Sequence, residues 1–320
     1  MPALDLTAVN VTLNMQSMKL AKIFLIALST TMLAVPDISA AADKPAPSRP
    51  PIVGVAWIGL RTADMDASKK FYTGYLGMQE QAGVKDGGLT RVVFKVNDRQ
   101  FVQVLPELKD PKQNRLIDIA FETTNAEQLR AYLASKDVKV PEKISDTGMG
   151  TKGFAITDVE NHVVKFVQFS KKSNSKDAFP DNRVSAHMIH TGFIVHNRAA
   201  EDHLFKDILG FTETWHGGMT DDKTSWIDMR VPDGKDWLEY MMDYDDNDVK
   251  VSGIMNHLAL GVPNVAAGYD TVVKRGFNPE KPKIGRDGKW QLNLYSLDQT
   301  RVELMEPKPV ETPCCSPMIQ

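Results

Sequence analysis

The sequence predicts an α+β fold in which four βαβββ modules form two domains, each with a cupped mixed sheet. Four segments begin with a strand pattern and continue into a helical pattern, and three short alternating strand patterns follow each of them. A pattern that recurs in this way indicates one structural unit used repeatedly. The four segments are residues 55–78, 117–140, 188–211 and 256–279.

The first and third segments form a closely matched pair. Trp57 aligns with His190, and Phe71 and Leu204 each lie 14 residues further along the chain. A Leu-Gly pair closes both segments shortly after these positions. The equal spacing predicts a strand, a turn and a helix of the same length in both modules.

The modules are expected to pair in chain order, because one long polar stretch separates the second module from the third. A proline-rich stretch precedes the first module and is typical of a linker. The predicted organisation is a leader at 1–42, a linker at 43–51, a first domain at 52–170, a hinge at 171–185, a second domain at 186–308 and a tail at 309–320.

The leader carries the pattern of a secretory signal peptide. Two lysines follow Met18, an apolar run extends from Ile23 to Val35, and small residues occupy positions 39–42. Such a run is too short to cross a bilayer and remain there, and the order of its parts matches a signal that is cleaved. We therefore expect an exported chain, periplasmic or secreted, that begins near Ala41 and has no membrane contact after cleavage. A buried core helix is the alternative interpretation.

The composition excludes a nucleic-acid partner. The net charge is -3 and the sequence pI about 6.2, without the clustered basic surface that phosphate binding requires. The two cysteines, Cys314 and Cys315, are adjacent in the tail, and disulfide geometry disfavours a bridge between neighbours. We expect a small-molecule substrate and a monomer or homodimer.

Two histidines and two glutamates stand at equivalent places in the second predicted domain. His190 and His257 lie in the first strands of the third and fourth modules, and Glu239 and Glu303 lie in later strands, 49 and 46 residues further on. Strand alternation puts these residues opposite the apolar, helix-facing side. Two imidazoles and two carboxylates suit one divalent ion such as Zn, Ni, Co, Fe or Mn. Four other histidines have no partner at a repeat-equivalent position and are interpreted as surface residues or as neighbours of the metal ligands, although His216, beside two glycines, could face the concave side of the sheet: His187, His196, His203 and His216.

The first predicted domain lacks this set of residues. A tryptophan and a lysine cannot take part in it, so we expect one metal site in the chain and a structural or substrate-shaping role for the first domain. The equivalent residues are Trp57, Gln103, Asp118 and Lys165.

Over residues 52–308 the chain resembles the vicinal oxygen chelate superfamily, which includes glyoxalase I, extradiol dioxygenases, epimerases and antibiotic-resistance proteins. Its metal set is most similar to that of glyoxalase I. The ligand motifs of that enzyme are similar to "HTGFIV", "LEYMM", "HLALGV" and "RVELME". The resemblance therefore implies that His190, Glu239, His257 and Glu303 are metal ligands.

The resemblance also implies a reaction. A lactoylglutathione-lyase-like enzyme is a metal-dependent lyase or isomerase in which the metal stabilises an enediolate of the substrate. Glu303 is then the expected catalytic base, with Glu239 opposite it. Because glutathione adducts are cytosolic, the expected export favours another small vicinal-oxygen substrate.

Two other functions remain open. An extradiol ring-cleaving dioxygenase would use His190, His257 and Glu303 and leave Glu239 unexplained, and residues 285–303 lack the further histidine that those enzymes carry before the last strand. A small-molecule binding or resistance protein would be expected to have a concave binding site that lacks the complete set of four metal ligands.

Alternation also indicates substrate-binding candidates. Asn293 and Tyr295 lie on a polar strand face, and Arg230 could pair with a substrate carboxylate. A solvated strand arginine is the alternative interpretation of Arg230.

Overall fold

The computed structural model describes residues 47–86, 89–170, 179, 182–242, 244–245 and 248–319. The predicted leader at 1–42 therefore lies outside the described residues, as do part of the linker and most of the hinge at 171–185. Among the described residues, no helix combines the length and apolarity that a membrane crossing requires.

The first sheet contains eight strands. They are β1 (Ile52–Arg61), β2 (Gln79–Asp86), β3 (Leu89–Lys95), β4 (Phe101–Leu105), β5 (Leu116–Thr123), β6 (Ser145–Gly148), β7 (Thr151–Thr157) and β8 (Val163–Phe169). Their order is β2-β3-β4-β1-β5-β8-β7-β6. The sheet is mixed, since β1 runs parallel to β4 and antiparallel to β5.

The second sheet repeats this arrangement. Its strands are β9 (Met188–Val195), β10 (Thr212–Gly217), β11 (Trp226–Arg230), β12 (Trp237–Met242), β13 (His257–Gly261), β14 (Lys283–Ile284), β15 (Trp290–Tyr295) and β16 (Arg301–Met305). Their order, β10-β11-β12-β9-β13-β16-β15-β14, matches that of the first sheet strand for strand. Two curled mixed sheets with few helices confirm the predicted α+β class.

A helix follows the first strand of each module, as the repeat predicts. Each begins at an Asp or Asn whose side chain accepts a hydrogen bond from a backbone N–H three residues later, the usual N-cap interaction. These caps are Asp64, Asn125, Asn197 and Asn264. The helices are α1 (Met65–Lys69, with a π-helical turn Lys70–Tyr75), α2 (Ala126–Ala134), α3 (Arg198–Asp202, with a π-helical turn His203–Ile208), α4 (Val249–Met255) and α5 (Val265–Lys274). Helix α4, between the third and fourth modules, was not predicted.

The Leu-Gly pairs of the first and third modules end their helices. Gly77 and Gly210 have φ of 74° and 82°, in the left-handed region that favours glycine. The backbone turns back at these residues toward the next strand. The equal spacing from the first strand to the Leu-Gly pair in the two modules therefore reflects the equal length of their helices.

One hydrophobic core extends through both halves of the chain. The ring of Phe121 from the first sheet lies 5.2 Å from that of Phe211, and Phe71 lies 5.6 Å from Phe277. The helix-facing sides of the sheets therefore share buried apolar area, which stabilises the halves together. The opposite face of the first sheet carries a second, smaller apolar cluster that includes Trp57, Phe101 and Phe169.

The tail corrects one expectation. Cys314 and Cys315 are joined by a disulfide, although adjacency argued against it. The tail lies along the second half, where the Trp215 indole donates to the Cys314 carbonyl at 3.1 Å and Ile319 N donates to Thr214 O at 2.8 Å.

Candidate metal centre

The four predicted metal ligands lie on four successive strands at the centre of the second sheet. In the order β12-β9-β13-β16, these strands carry Glu239, His190, His257 and Glu303. His190 and Glu303 are both in register with Ala259, and Glu239 and His257 are both in register with Gly192. The symmetry of the modules thus brings together residues far apart in sequence.

Their polar atoms converge. The Nε2 atoms of His190 and His257 are 3.0 Å apart. The Oε2 atom of Glu239 lies 2.9 Å from His257 Nε2 and 3.6 Å from His190 Nε2. Glu303 Oε2 lies 3.7 Å from His190 Nε2. Donor atoms of His190, His257 and Glu303 all lie within 4.8 Å of one another, which suits a single ion.

Both histidines are fully buried, and burial lowers their pKa values well below 6.5. They are therefore neutral, as metal ligands must be. The Nδ1 of His257 lies 2.9 Å from the Met255 carbonyl oxygen, so that nitrogen carries the proton and Nε2 offers a lone pair to the cluster. Two imidazole nitrogens facing two carboxylates form a donor set that fits a divalent cation.

Gly192 is the residue that lets His257 approach the cluster. A Cβ at this position would lie 2.4 Å from His257 Cε1 and 2.7 Å from its Nδ1. The glycine between His190 and His196 is therefore a steric requirement of the site. His190 is part of the cluster, whereas His196 lies beyond the strand.

Further charged groups surround the cluster. Burial raises the pKa of Glu303 to about 7, against the lowering effect of Arg301, and burial also raises the pKa of Asp228 and of Asp287. Lys289 is buried, lies 3.2 Å from Asp287 and stacks 4.9 Å above the Trp237 ring. A bound cation would offset the cost of burying these carboxylates in their charged form.

A cavity of about 310 Å³ opens beside the cluster. Asn293 lines it, as do Glu239 and Glu303, whereas Arg230 and Tyr295 are outside the lining. Strand alternation could have identified Asp228 and Arg301, which also line the cavity. Asp287 comes from a loop and gave no sequence signal.

The equivalent positions of the first sheet also converge, but they form a different network. Asp118 is buried and accepts from Trp57 Nε1 at 2.8 Å, Lys165 Nζ at 2.7 Å and Arg91 Nη1 at 3.3 Å. Gln103 accepts from Arg91 at 2.6 Å. Cations and an indole thus occupy the place that the His and Glu residues take in the second sheet.

The other histidines considered lie away from the cluster. His216 pairs with Glu213 at 2.7 Å and borders a cavity beneath the tail. His187 is half exposed and lies 2.7 Å from Asp236. His203 is mostly exposed and faces Asp207.

Comparison with known proteins gives a family match for the first sheet. The model of the glyoxalase/bleomycin resistance protein/dioxygenase superfamily matches residues 54–166. Over this region, which is less than half of its length, the chain is similar to that superfamily. The matched residues are in the first sheet, so the family match and the His/Glu cluster fall in different halves of the chain. No curated protein matches the chain.

Solved structures with the same fold cover most of the chain. The 2,3-dioxygenase LapB from Pseudomonas sp. KL28 has a TM-score of 0.63 at 14% identity, covering 83% of this chain and 97% of its own. The Mn(II)-bound glyoxalase from Novosphingobium aromaticivorans has a TM-score of 0.61 at 17% identity, covering 80% and 83%. Homoprotocatechuate 2,3-dioxygenase from Brevibacterium fuscum has a TM-score of 0.59 at 15% identity, covering 84% of both chains. At these identities the likeness concerns the fold.

Proposed function

We propose that the protein is an exported, metal-dependent lyase or isomerase that acts on a small substrate with two adjacent oxygens, in the manner of glyoxalase I. The observation that carries the proposal is the contact of Glu239 with both histidines. Because of this contact, Glu239 belongs to the same cluster as the two histidines and Glu303, which makes a four-residue ligand set.

His190, His257, Glu239 and Glu303 would hold one divalent ion. Mn²⁺ is bound by the similar Novosphingobium glyoxalase, and the donor set accepts Zn, Ni, Co or Fe as well. When bound, such an ion would supply Lewis-acid polarisation to the substrate.

The carboxylates provide the proton transfer. Glu303 is buried at the cluster and lines the cavity, so its carboxylate is placed to take and return a proton of a bound substrate. It removes a proton from one substrate carbon and returns it to the neighbouring carbon, so that no external oxidant or reductant is needed. Glu239 lies across the two histidines and balances the charge of the site.

The cavity limits the substrate to a small molecule. About 310 Å³ is at the low end of the volumes that ligand pockets occupy. Asn293 and Arg301 line it and can hold a hydroxyl or carbonyl oxygen. A small hydroxyketone or oxoaldehyde fits this space.

Ring-cleaving dioxygenase activity is the second candidate. It is favoured by the grouping of His190, His257 and Glu303 within 4.8 Å, a two-histidine, one-carboxylate set. It is also favoured by the dioxygenases among the structures with the same fold. It gives Glu239 no role, although this glutamate contacts His257.

The two candidates differ in their dependence on Glu239. We would measure bound metal by plasma mass spectrometry, and turnover on small hydroxyketones, oxoaldehydes and catechols. The variants are Glu239→Ala and Glu303→Gln, with Gln103→Ala, the first-sheet counterpart of Glu239, as the matched control. We expect about one ion per chain at this site, weakened about tenfold or more in Glu239→Ala and unchanged in Gln103→Ala.

Each other outcome contradicts one part of the proposal. Full metal retention in Glu239→Ala with oxygen uptake on a catechol would favour the dioxygenase. Turnover that survives Glu303→Gln would remove its role as base. A wild type that binds ligands of this class but neither holds metal at these residues nor turns over would favour a small-molecule binding or resistance protein.

Export is a separate part of the proposal and depends on the leader at 1–42. Amino-terminal sequencing of the chain recovered from a bacterial periplasm should give a start near Ala41. A chain that retains residue 18 onward in the cytoplasmic fraction would contradict it.

A further inference from the structure

A second cluster of metal-type ligands lies where the two halves of the chain meet. The turn between β7 and β8 reaches from the first sheet to the start of α3 in the second half. Its Glu160 carboxylate accepts hydrogen bonds from the backbone N–H groups of His196 and Asn197, with His196 N at 2.8 Å from Oε1. The turn is therefore fixed against α3.

Three side chains converge beside this contact. Asp158 and His162 come from the turn and Glu201 from α3, and one donor atom of each lies within 4.8 Å of the other two. The His162 ring is held by Asp158, whose Oδ2 lies 2.8 Å from Nδ1, and it stacks on Phe193 with centroids 4.1 Å apart. The ring is thus oriented before any ligand binds.

Glu201 has no interaction that compensates its burial. It is 0% exposed, and within the described part of the chain neither of its carboxylate oxygens has a hydrogen-bond partner. Burying a carboxylate in this way costs several kcal/mol unless a proton or a cation accompanies it. Nearly all buried polar groups in native proteins are satisfied, so such a residue points to a ligand.

Two neighbouring groups share the same deficiency. Among the described residues, Asp202 Oδ1 and the Tyr240 hydroxyl are also buried without a hydrogen-bond partner. Burial, together with the charges of Asp158, Glu160 and Asp202, raises the pKa of Glu201 to about 8. A proton on Glu201 would neutralise one carboxyl group only, whereas a cation can be shared by several of these oxygens.

A cavity gives access to the cluster. It has a volume of about 320 Å³, and Asp158 and Glu201 are among the residues that line it. The cavity therefore places open volume directly beside the carboxylates of the cluster.

We infer that Asp158, His162 and Glu201 form a second divalent-cation site that joins the two halves of the chain. Mixed carboxylate and imidazole donors favour Zn²⁺ or Mn²⁺ over Mg²⁺ and Ca²⁺, which take oxygen ligands. The site shares no residue with the His190 cluster. Its role is structural, because its ligands come from both halves of the chain. It lies on the helix-facing side of the second sheet, where Tyr240 packs against Phe193 and Phe205.

The test isolates this site from the others. The starting chain carries His190→Ala and His257→Ala, which disable the first centre, and Cys314→Ser and Cys315→Ser, which remove the tail cysteines near Asp221 that could bind metal when reduced. After chelation, Mn²⁺ and Zn²⁺ are titrated in turn, with metal content and the melting temperature as readouts. Glu201→Gln and His162→Asn are then added separately, with the half-exposed Glu127→Gln in α2 as control.

We expect about one ion per chain in the starting chain, together with a rise in melting temperature that grows with metal concentration. Both should be lost, with at least about tenfold weaker binding, in Glu201→Gln and in His162→Asn. The Glu127→Gln control should retain them.

Three results would overturn the inference. The starting chain could bind no ion at millimolar Mn²⁺ or Zn²⁺ while remaining folded. The ion could persist in both ligand variants. A crystal structure grown with either metal could show only water between Glu201 and His162.

Discussion

Glu239 Oε2 lies 2.9 Å from His257 Nε2 although their strands, β12 and β13, are not neighbours in the sheet. Strand β9 runs between them, and the side chains meet above Gly192, which has no Cβ to separate them. His190 lies two residues before Gly192 on β9, so its side chain is on the same face of the sheet. The site therefore depends on a residue that contributes no ligand atom.

Replacing Gly192 by alanine should displace His257 and weaken metal binding. The new Cβ would come within 2.4 Å of the imidazole, so the ring must move out of the cluster. We expect metal affinity to fall by about tenfold or more, as when the support of a ligand is lost. Competition with a chromogenic chelator measures it.

Gly59 offers a matched control, because it is the first-sheet counterpart of Gly192. A Cβ there would lie 2.7 Å from Asp118 Oδ1. Gly59→Ala should disturb the Asp118 network and leave binding at the His190 cluster unchanged. Equal losses of metal in both variants would mean that the substitutions act through general unfolding.

Replacing Asp118 by asparagine should lower the free energy of unfolding without affecting metal content. Asp118 is a buried carboxylate that pairs with Lys165 and Arg91, and breaking a buried ion pair costs about 3 kcal/mol. Guanidinium denaturation monitored by tryptophan fluorescence gives the change. A change below about 0.5 kcal/mol would show that the network adds no stability.

The repeat explains why the sequence alone could predict the candidate centre. Similar spacings of 49 and 46 residues between a histidine and a glutamate predict that His190 and His257, and likewise Glu239 and Glu303, occupy equivalent positions in two modules. Strand alternation put them on one face, and the sheet order then brings the strands together.

The burial of some residues and the lining of the pocket depend on contacts between modules. Such contacts produce no periodic pattern in a single sequence. Glu201 looks like an ordinary helix-surface glutamate, yet the second half buries it against the turn of the first half. Asp287 reaches the pocket from a loop, and Arg230 lies outside it although it shares a strand face with Asp228. These outcomes are set by how the halves pack.

Replacing Asn264 by alanine should destabilise the chain modestly. Its side chain accepts from Ala267 N at 2.7 Å and caps α5. Loss of such a cap costs about 1 kcal/mol. Urea denaturation should show it, with Asp270→Ala in the middle of the same helix as a control that removes no cap.

The contact between His187 and Asp236 should make stability depend on pH. Asp236 belongs to the second half, and its Oδ2 accepts from the backbone N–H of Val55 in the first half at 2.9 Å. Its hydrogen bond raises the pKa of His187 above 6.5 in the folded chain. Protonated His187 therefore stabilises the fold, and this contribution is complete below pH 6.5, the pKa of the unfolded chain.

The contribution is lost as the pH rises through the raised pKa of His187, since the folded chain then releases the proton that it held more tightly than the unfolded chain. We expect the melting temperature of the wild type to fall relative to His187→Gln as the pH rises above 6.5. Because His187 is half exposed, added salt should reduce the difference. Parallel curves for the two proteins across this range would show that the pair does not stabilise the contact between the halves.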